Sequence, residues 1–156
     1  VPFMLLCFFR HGKAERAGTK PDFERELTPE GRADVRLVAG LLPFRPTKII
    51  TSPLKRAVQT ASIIAELYDL EYETAQELEP ETASLDKILS LNLVDGTVLV
   101  GHAPSIESIV SGLIGGGRVE LKAGSAAVLE FDESIRPGGG RLVLLITPDA
   151  ARRCRT

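Results

Sequence analysis

The chain has 156 residues, 44% of them hydrophobic and 26% charged, which is the scale and balance of one packed domain over residues 1–156 and not of a disordered segment. Its 19 basic and 21 acidic residues leave a formal net charge of −2, so nothing pulls it toward nucleic acid or an anionic membrane surface. The longest apolar run, Phe3 to Phe9, falls far short of the roughly 20 residues that cross a bilayer and lacks a basic flank or a small-residue cleavage site, so neither a membrane span nor a signal peptide is predicted.

Met4 to Phe9 predicts a short buried strand, and the polar stretch from Arg10 to Leu27 reads as a loop. Thr28-Pro29-Glu30 is a helix start: a capping hydroxyl, Pro at the first helical position and an early acid. Val35, Val38, Ala39 and Leu42 follow at helical spacing until Pro43 and Pro46. Lys48 to Thr51 is a second strand, after which Ser52-Pro53 opens a helix with Ala57, Ala61, Ile64, Ala65 and Tyr68 on one face. A third helix is expected over Leu85 to Leu93, then a third strand at Thr97 to Val100, then Gly101-His102-Ala103-Pro104. A fourth helix carries Ile106, Ile109, Val110 and Leu113 and stops at Gly115-Gly116-Gly117. Ala126 to Phe131 and Leu142 to Ile146 read as two last strands joined across Pro137 to Gly140, and the basic tail Arg152, Arg153, Arg155 as a solvated terminus. Alternating strands and helices predict an α/β fold, a three-layer α/β/α sandwich around a mainly parallel central sheet with an antiparallel strand possible at its edge.

The chemistry lies in position. The only histidines, His11 and His102, each follow an apolar strand, and so does Ser52-Pro53-Leu54-Lys55-Arg56. Ligands of open α/β sheets sit outside the carboxyl ends of the strands, so Arg10, His11, Arg56 and His102 are expected at one sheet edge. Two guanidiniums, two imidazoles and nearby helix N-termini describe a pocket for phosphate or sulfate. Singly, either histidine could be structural and Arg56 could be solvated; their joint placement is what points to an anion.

Other chemistries fit poorly. Zinc needs three or four ligands, and two histidines without partners at suitable spacing do not supply them, so no metal or other cofactor is expected. The sixth residue after Cys7 is Lys13, where a thiol phosphatase loop has Arg, and Cys7 reads as a small core residue. No Gly-Lys-Ser or Gly-Lys-Thr ends a Gly-rich loop, and no Gly-x-Ser-x-Gly elbow occurs. Histidine is the remaining nucleophile. Cys7 and Cys154 at opposite ends of the chain fit a reducing, cytoplasmic setting.

Phe9-Arg10-His11-Gly12, Leu27-Thr28-Pro29-Glu30-Gly31, the segment from Ser52-Pro53 through Arg56-Ala57 to Gln59-Thr60, and Gly101-His102 resemble, in order, the motifs of the histidine phosphatase superfamily, also called phosphoglycerate-mutase-like. The short chain and Gly-His-Ala-Pro are most similar to its SixA-type phosphohistidine phosphatases. The resemblance implies His11 as the nucleophile that takes the phosphoryl group, with Arg10 and Arg56 holding phosphate oxygens and His102 adding a positive donor. Gly12, Ser52 and Ala103 would complete the pocket.

Larger relatives in that family place a general-acid Glu after the second helix. Glu77 is the candidate in that region, with Glu79 second, and a solvated acidic loop is the other reading of Glu77-Leu78-Glu79-Pro80-Glu81. A phosphohistidine leaving group needs such an acid least. The function implied is removal of phosphate from phosphohistidine in a protein partner. The alternatives are hydrolysis of small phosphate esters or other phosphoproteins, and a non-catalytic phosphate-binding module. Lys13, Arg16 and Arg25 are either substrate-facing cations or solvated loop residues.

Overall fold

A computed structural model describes residues 3–18 and 20–154, so Arg155 of the basic tail lies outside the described residues. The strands β1 (Met4–Arg10), β2 (Lys48–Thr51), β3 (Glu73–Thr74), β4 (Thr97–Gly101), β5 (Ala126–Phe131) and β6 (Gly140–Ile146) form one sheet in the order β3-β2-β4-β1-β5-β6. β1, β2, β3 and β4 pair in parallel, with Cys7 opposite Val98 and Ile49 also opposite Val98 from the other side. β5 runs against β1, and β6 against β5. The hairpin expected at the sheet edge is therefore present, and the strand that opposes all others is β5, one place in from the edge.

Strand alternation divides the core into two. Cys7, Phe9, Ile49, Val98, Val100 and Val128 face one side, under the helices α1 (Pro29–Ala39), α2 (Lys55–Tyr68) and α5 (Pro148–Arg153). Leu6, Phe8, Ile50, Leu99 and Leu129 face the other, under α3 (Leu85–Leu89) and α4 (Ser105–Ile114). This is the three-layer sandwich, and burial on both faces is why β1 and β4 read as unbroken apolar runs. Cys7 is fully buried, and burial pushes its thiol far above the usual range, so it is an inert core residue.

The helix ends follow local chemistry. The Thr28 hydroxyl accepts a hydrogen bond from the Gly31 N–H at 3.0 Å, with Pro29 in the first turn. α2 starts at Lys55, two residues beyond Ser52-Pro53, because Leu54 is still extended. α3 ends at Leu89, short of Leu93: the Ser90 hydroxyl donates to the Lys87 carbonyl at 2.6 Å and draws off a carbonyl the helix would need. Leu91 and Leu93 still pack on the core beneath, outside the helix.

Two elements were not anticipated. β3 is a two-residue, exposed strand beside β2, too short and polar to leave a pattern. α5 begins at Thr147-Pro148, where Thr147 accepts from the Ala150 N–H at 3.1 Å, the same start signal as Thr28-Pro29. The described part of the tail is helical but its arginines are exposed as expected: Ala151 docks the helix fully buried, while Arg152, paired with Asp34 and Asp149, and Arg153 face solvent. Among the described residues no helix is long and apolar enough to cross a membrane.

Candidate active site

β1, β4 and β2 lie side by side, and the chain leaves their carboxyl ends at His11, His102 and Ser52. The exits are stitched together: the His11 N–H donates to the Gly101 carbonyl at 3.0 Å, and the Ser52 N–H to Val100 at 3.0 Å. The two imidazole rings stand 5.0 Å apart between centroids, tilted by 57°. Arg56, from the first turn of α2, reaches them with its Nε 3.4 Å from His11 Nε2. The structure thus brings His11, His102, Arg56 and, at the last position of β1, Arg10 to one rim.

Each ring has a defined orientation. His11 Nδ1 lies 2.8 Å from the Gly12 carbonyl, which only accepts, so Nδ1 carries the proton and Nε2 presents a lone pair. His102 Nε2 lies 2.7 Å from the Ser52 hydroxyl. That hydroxyl also accepts from the Leu54 N–H at 3.3 Å, and when it gives its own proton to Nε2 His102 carries its proton on Nδ1. Among the described residues His102 Nδ1 and Arg10 Nε are buried without a partner. Buried polar nitrogens are rarely left unpaired, and two of them beside His11 Nε2 mark places for ligand oxygens.

Electrostatics keep both rings neutral. Burial pushes His11 down to about 4, joined by Arg56, Arg10 and Arg25 and opposed by the hydrogen bond to Gly12. Burial likewise takes His102 to about 3, joined by His11, Arg56 and Arg10 and opposed by Asp22. A neutral His11 is the form that can attack. An anion beside His102 acts in the opposite direction and favours its protonation.

The surrounding motif residues build this rim. Gly12 was expected to contact phosphate, but its N–H donates to Thr60 Oγ1 at 3.1 Å and its carbonyl holds His11. Its part is to orient the ring. Thr60 in turn donates to the Arg56 carbonyl at 2.8 Å, and Gln59 accepts from the Leu27 N–H at 2.8 Å, pinning the polar loop to α2. Gly31 is required because an added Cβ would sit 2.2 Å from the Lys13 carbonyl oxygen. Ser52 is fully buried against His102, while Ala103 is half-buried between His102 and α4.

Glu77 lies on the 3-10 turn Gln76–Leu78 and lines a cavity with Glu79, Thr82, Lys87 and Ser90. No hydrogen bond or ion pair among the described residues joins Glu77 to the cluster. A carboxylate that does contact it is Asp22, on the 3-10 turn Asp22–Glu24. Arg56 donates from Nη1 to the Asp22 carbonyl at 2.9 Å and from Nη2 to its Oδ2 at 3.3 Å. Arg25 holds Oδ1 at 3.0 Å and the Glu15 carbonyl at 2.8 Å. Although burial resists it, Arg56 and Arg25 hold the Asp22 carboxyl below the usual range. Lys13 pairs with Glu30 at 3.1 Å on the exposed surface.

Sequence reasoning missed Asp22, which sat unremarked in a polar loop. It also missed the Leu121 carbonyl, which accepts from Arg10 Nη1 at 2.8 Å, and Ser125, whose carbonyl accepts the Arg10 N–H at 2.9 Å. Backbone acceptors leave no mark in a sequence.

Comparison with known proteins agrees with this geometry. A family profile described as the histidine phosphatase superfamily (branch 1) matches residues 6–80. An uncharacterized protein of Picosynechococcus sp. (strain ATCC 27264 / PCC 7002 / PR-6) is 35% identical over 147 residues, covering 80% of this chain and 88% of that one. Among solved structures, the protein histidine phosphatase SixA complexed with tungstate is 25% identical with a TM-score of 0.81, covering 94% of this chain and 98% of SixA. A structure from Agrobacterium tumefaciens designated phosphohistidine phosphatase SixA is 25% identical with a TM-score of 0.76, covering 93% and 98%. The chain belongs to the histidine phosphatase superfamily, and it is a phosphatase with the phosphoglycerate-mutase-like fold.

Proposed function

We propose that this chain, as one histidine phosphatase domain, removes phosphate from phosphohistidine in a protein partner through a phosphoryl group carried on His11. The observation that carries the reading is the lone pair on His11 Nε2, fixed by Gly12 at the other ring nitrogen and met, among the described residues, only by a long 3.4 Å hydrogen bond from Arg56 Nε, beside the His102 ring.

In the first step the Nε2 lone pair attacks phosphorus, the substrate P–N bond breaks, and its electrons return to the substrate's ring nitrogen. A substrate ring protonated on its other nitrogen leaves as neutral imidazole. His11, still protonated on Nδ1, carries the phosphoryl group as an imidazolium. Water then attacks phosphorus, the electrons of the new P–N bond return to Nε2, and dihydrogen phosphate leaves. Arg10 and Arg56 offer N–H groups to the phosphoryl oxygens, and His102 offers Nδ1. Phosphoryl transfer gains most from such fixed donors, because charge is spread over the oxygens in flight. Ser52 holds His102, and Ala103 leads into the N-terminus of α4.

Three features support a phosphohistidine in a protein. SixA, whose printed description is a protein histidine phosphatase, resembles this chain over almost its whole length. The carboxyl group that touches the rim, Asp22, is held below the usual range and so has no proton to give an ester leaving group. Phe23, on the turn that covers Arg56, is 60% exposed, an apolar contact of the kind a protein partner covers.

The test is a rapid acid-free quench of the enzyme mixed with labelled phosphohistidine protein. The expected result is label on His11, base-stable and acid-labile, and none in His11→Ala. An unlabelled wild-type enzyme that still releases phosphate would overturn the covalent route.

A further inference from the structure

We propose that Asp22 selects the leaving group: its carboxylate accepts a hydrogen bond from the far ring nitrogen of the substrate's phosphoimidazolium, favouring P–N over P–O cleavage. This rests on the phosphohistidine reading above.

Asp22 joins the inside of the site to its mouth. The Arg56 side chain that it contacts is 6% exposed, whereas the Asp22 side chain is 62% exposed. Its main-chain carbonyl takes Arg56 Nη1 at 2.9 Å, so the turn stays docked on α2 without help from the carboxylate. Oδ1 is occupied by Arg25, with contacts at 3.0 and 3.1 Å. Oδ2 accepts from Arg56 Nη2 at 3.3 Å, and a carboxylate oxygen has a second lone pair to offer.

A carboxylate is out of place in a pocket that serves phosphate alone. It opposes a doubly charged phosphoryl group and offsets one of the three nearby guanidiniums, Arg10, Arg25 and Arg56. That opposition turns to advantage when the group leaving phosphorus is a cation. A phosphoimidazolium carries an N–H and a positive charge on the ring away from phosphorus, and the P–N bond breaks without further proton transfer. An ester oxygen builds negative charge as it leaves, which an ionised Asp22 repels and cannot neutralise by giving a proton. A carboxylate at the mouth and the donors Arg10, Arg56 and His102 at the phosphoryl end thus match a substrate that is anionic at one end and cationic at the other.

The experiment compares kcat/KM on phosphoimidazole and on p-nitrophenyl phosphate for the wild type, Asp22→Asn and Asp22→Glu. Asn keeps the size and an oxygen acceptor for Arg56 but removes the charge. The ratio of the two values, phosphoimidazole over ester, is expected to fall about tenfold in Asp22→Asn, the size of a lost charge-assisted hydrogen bond, and to recover in Asp22→Glu. A common loss on both substrates cancels in the ratio, so a ratio unmoved in Asp22→Asn overturns the assignment and leaves Asp22 as a clip for Arg56. Wild type that prefers the ester overturns the phosphohistidine reading; a ratio that still falls in Asp22→Asn then upholds leaving-group selection by itself.

Discussion

At the scale of the residue, the site works by holding two like rings by opposite edges, His11 at Nδ1 and His102 at Nε2. Gly12 takes the His11 Nδ1 proton and frees Nε2 for attack, whereas Ser52 occupies His102 Nε2 and turns Nδ1 into a donor. Both rings are buried enough to stay neutral far below the ordinary imidazole value of 6.5. Titration by NMR is expected to show His11 near 4 and His102 near 3 in the free enzyme, with added phosphate raising His102. The same shifts set the pH dependence of stability. The unfolded chain takes up protons as pH falls through 6.5, and the folded rings take them up only near 4 and 3. Their contribution is complete above 6.5 and drains away as pH falls from there toward 4. Urea midpoints measured from pH 7 downward check this: wild type should lose more of its midpoint than His102→Asn, and parallel losses would contradict it.

At the scale of the element, three strand ends, a loop and the first turn of α2 converge through backbone contacts that tolerate no extra atoms. Gly31→Ala tests this, because its Cβ would meet the Lys13 carbonyl at 2.2 Å and force α1 away from the loop that follows His11. Overpacking of this kind costs about 1–3 kcal/mol, and kcat should fall with it as Gly12 loses its register on Thr60. Unfolding by urea and turnover of the same sample check both; full stability with full kcat would show that the loop yields freely.

The elements that carry the site were the legible ones. β1, β2 and β4 are buried strands followed at once by His11, Ser52 and His102, and Thr28-Pro29 announces α1. What stayed hidden was of two kinds. β3 and the Asp22–Glu24 turn owe their shape to neighbours distant in sequence and have no periodicity of their own. α5 and the early end of α3 did leave signals, Thr147-Pro148 and Ser90. The first was masked by the basic residues after it, and the second by the apolar residues Leu91 and Leu93, which pack without being helical.

At the scale of the whole molecule, a chain of net charge −2 gathers positive charge at one place. Arg25 and Arg56 hold the Asp22 carboxylate at the carboxyl edge of the sheet, and Arg10 lies with Arg56 beside His11, while acids elsewhere restore the balance. The sheet makes this possible: β4 sits between β1 and β2, so residues 11, 52 and 102 become neighbours although the chain separates them widely. Two core layers, one under α1, α2 and α5 and the other under α3 and α4, hold the three strands rigid behind the rim. Catalytic groups on strand ends gain most from such support, since small displacements cost rate steeply.

A crystal of this protein grown with tungstate measures the central claim directly. One tungstate is expected within hydrogen-bond distance of Arg10 Nε, Arg56 and His102 Nδ1, with its metal facing His11 Nε2. Tungstate bound away from both rings, or against only one of the two arginines, would contradict the account.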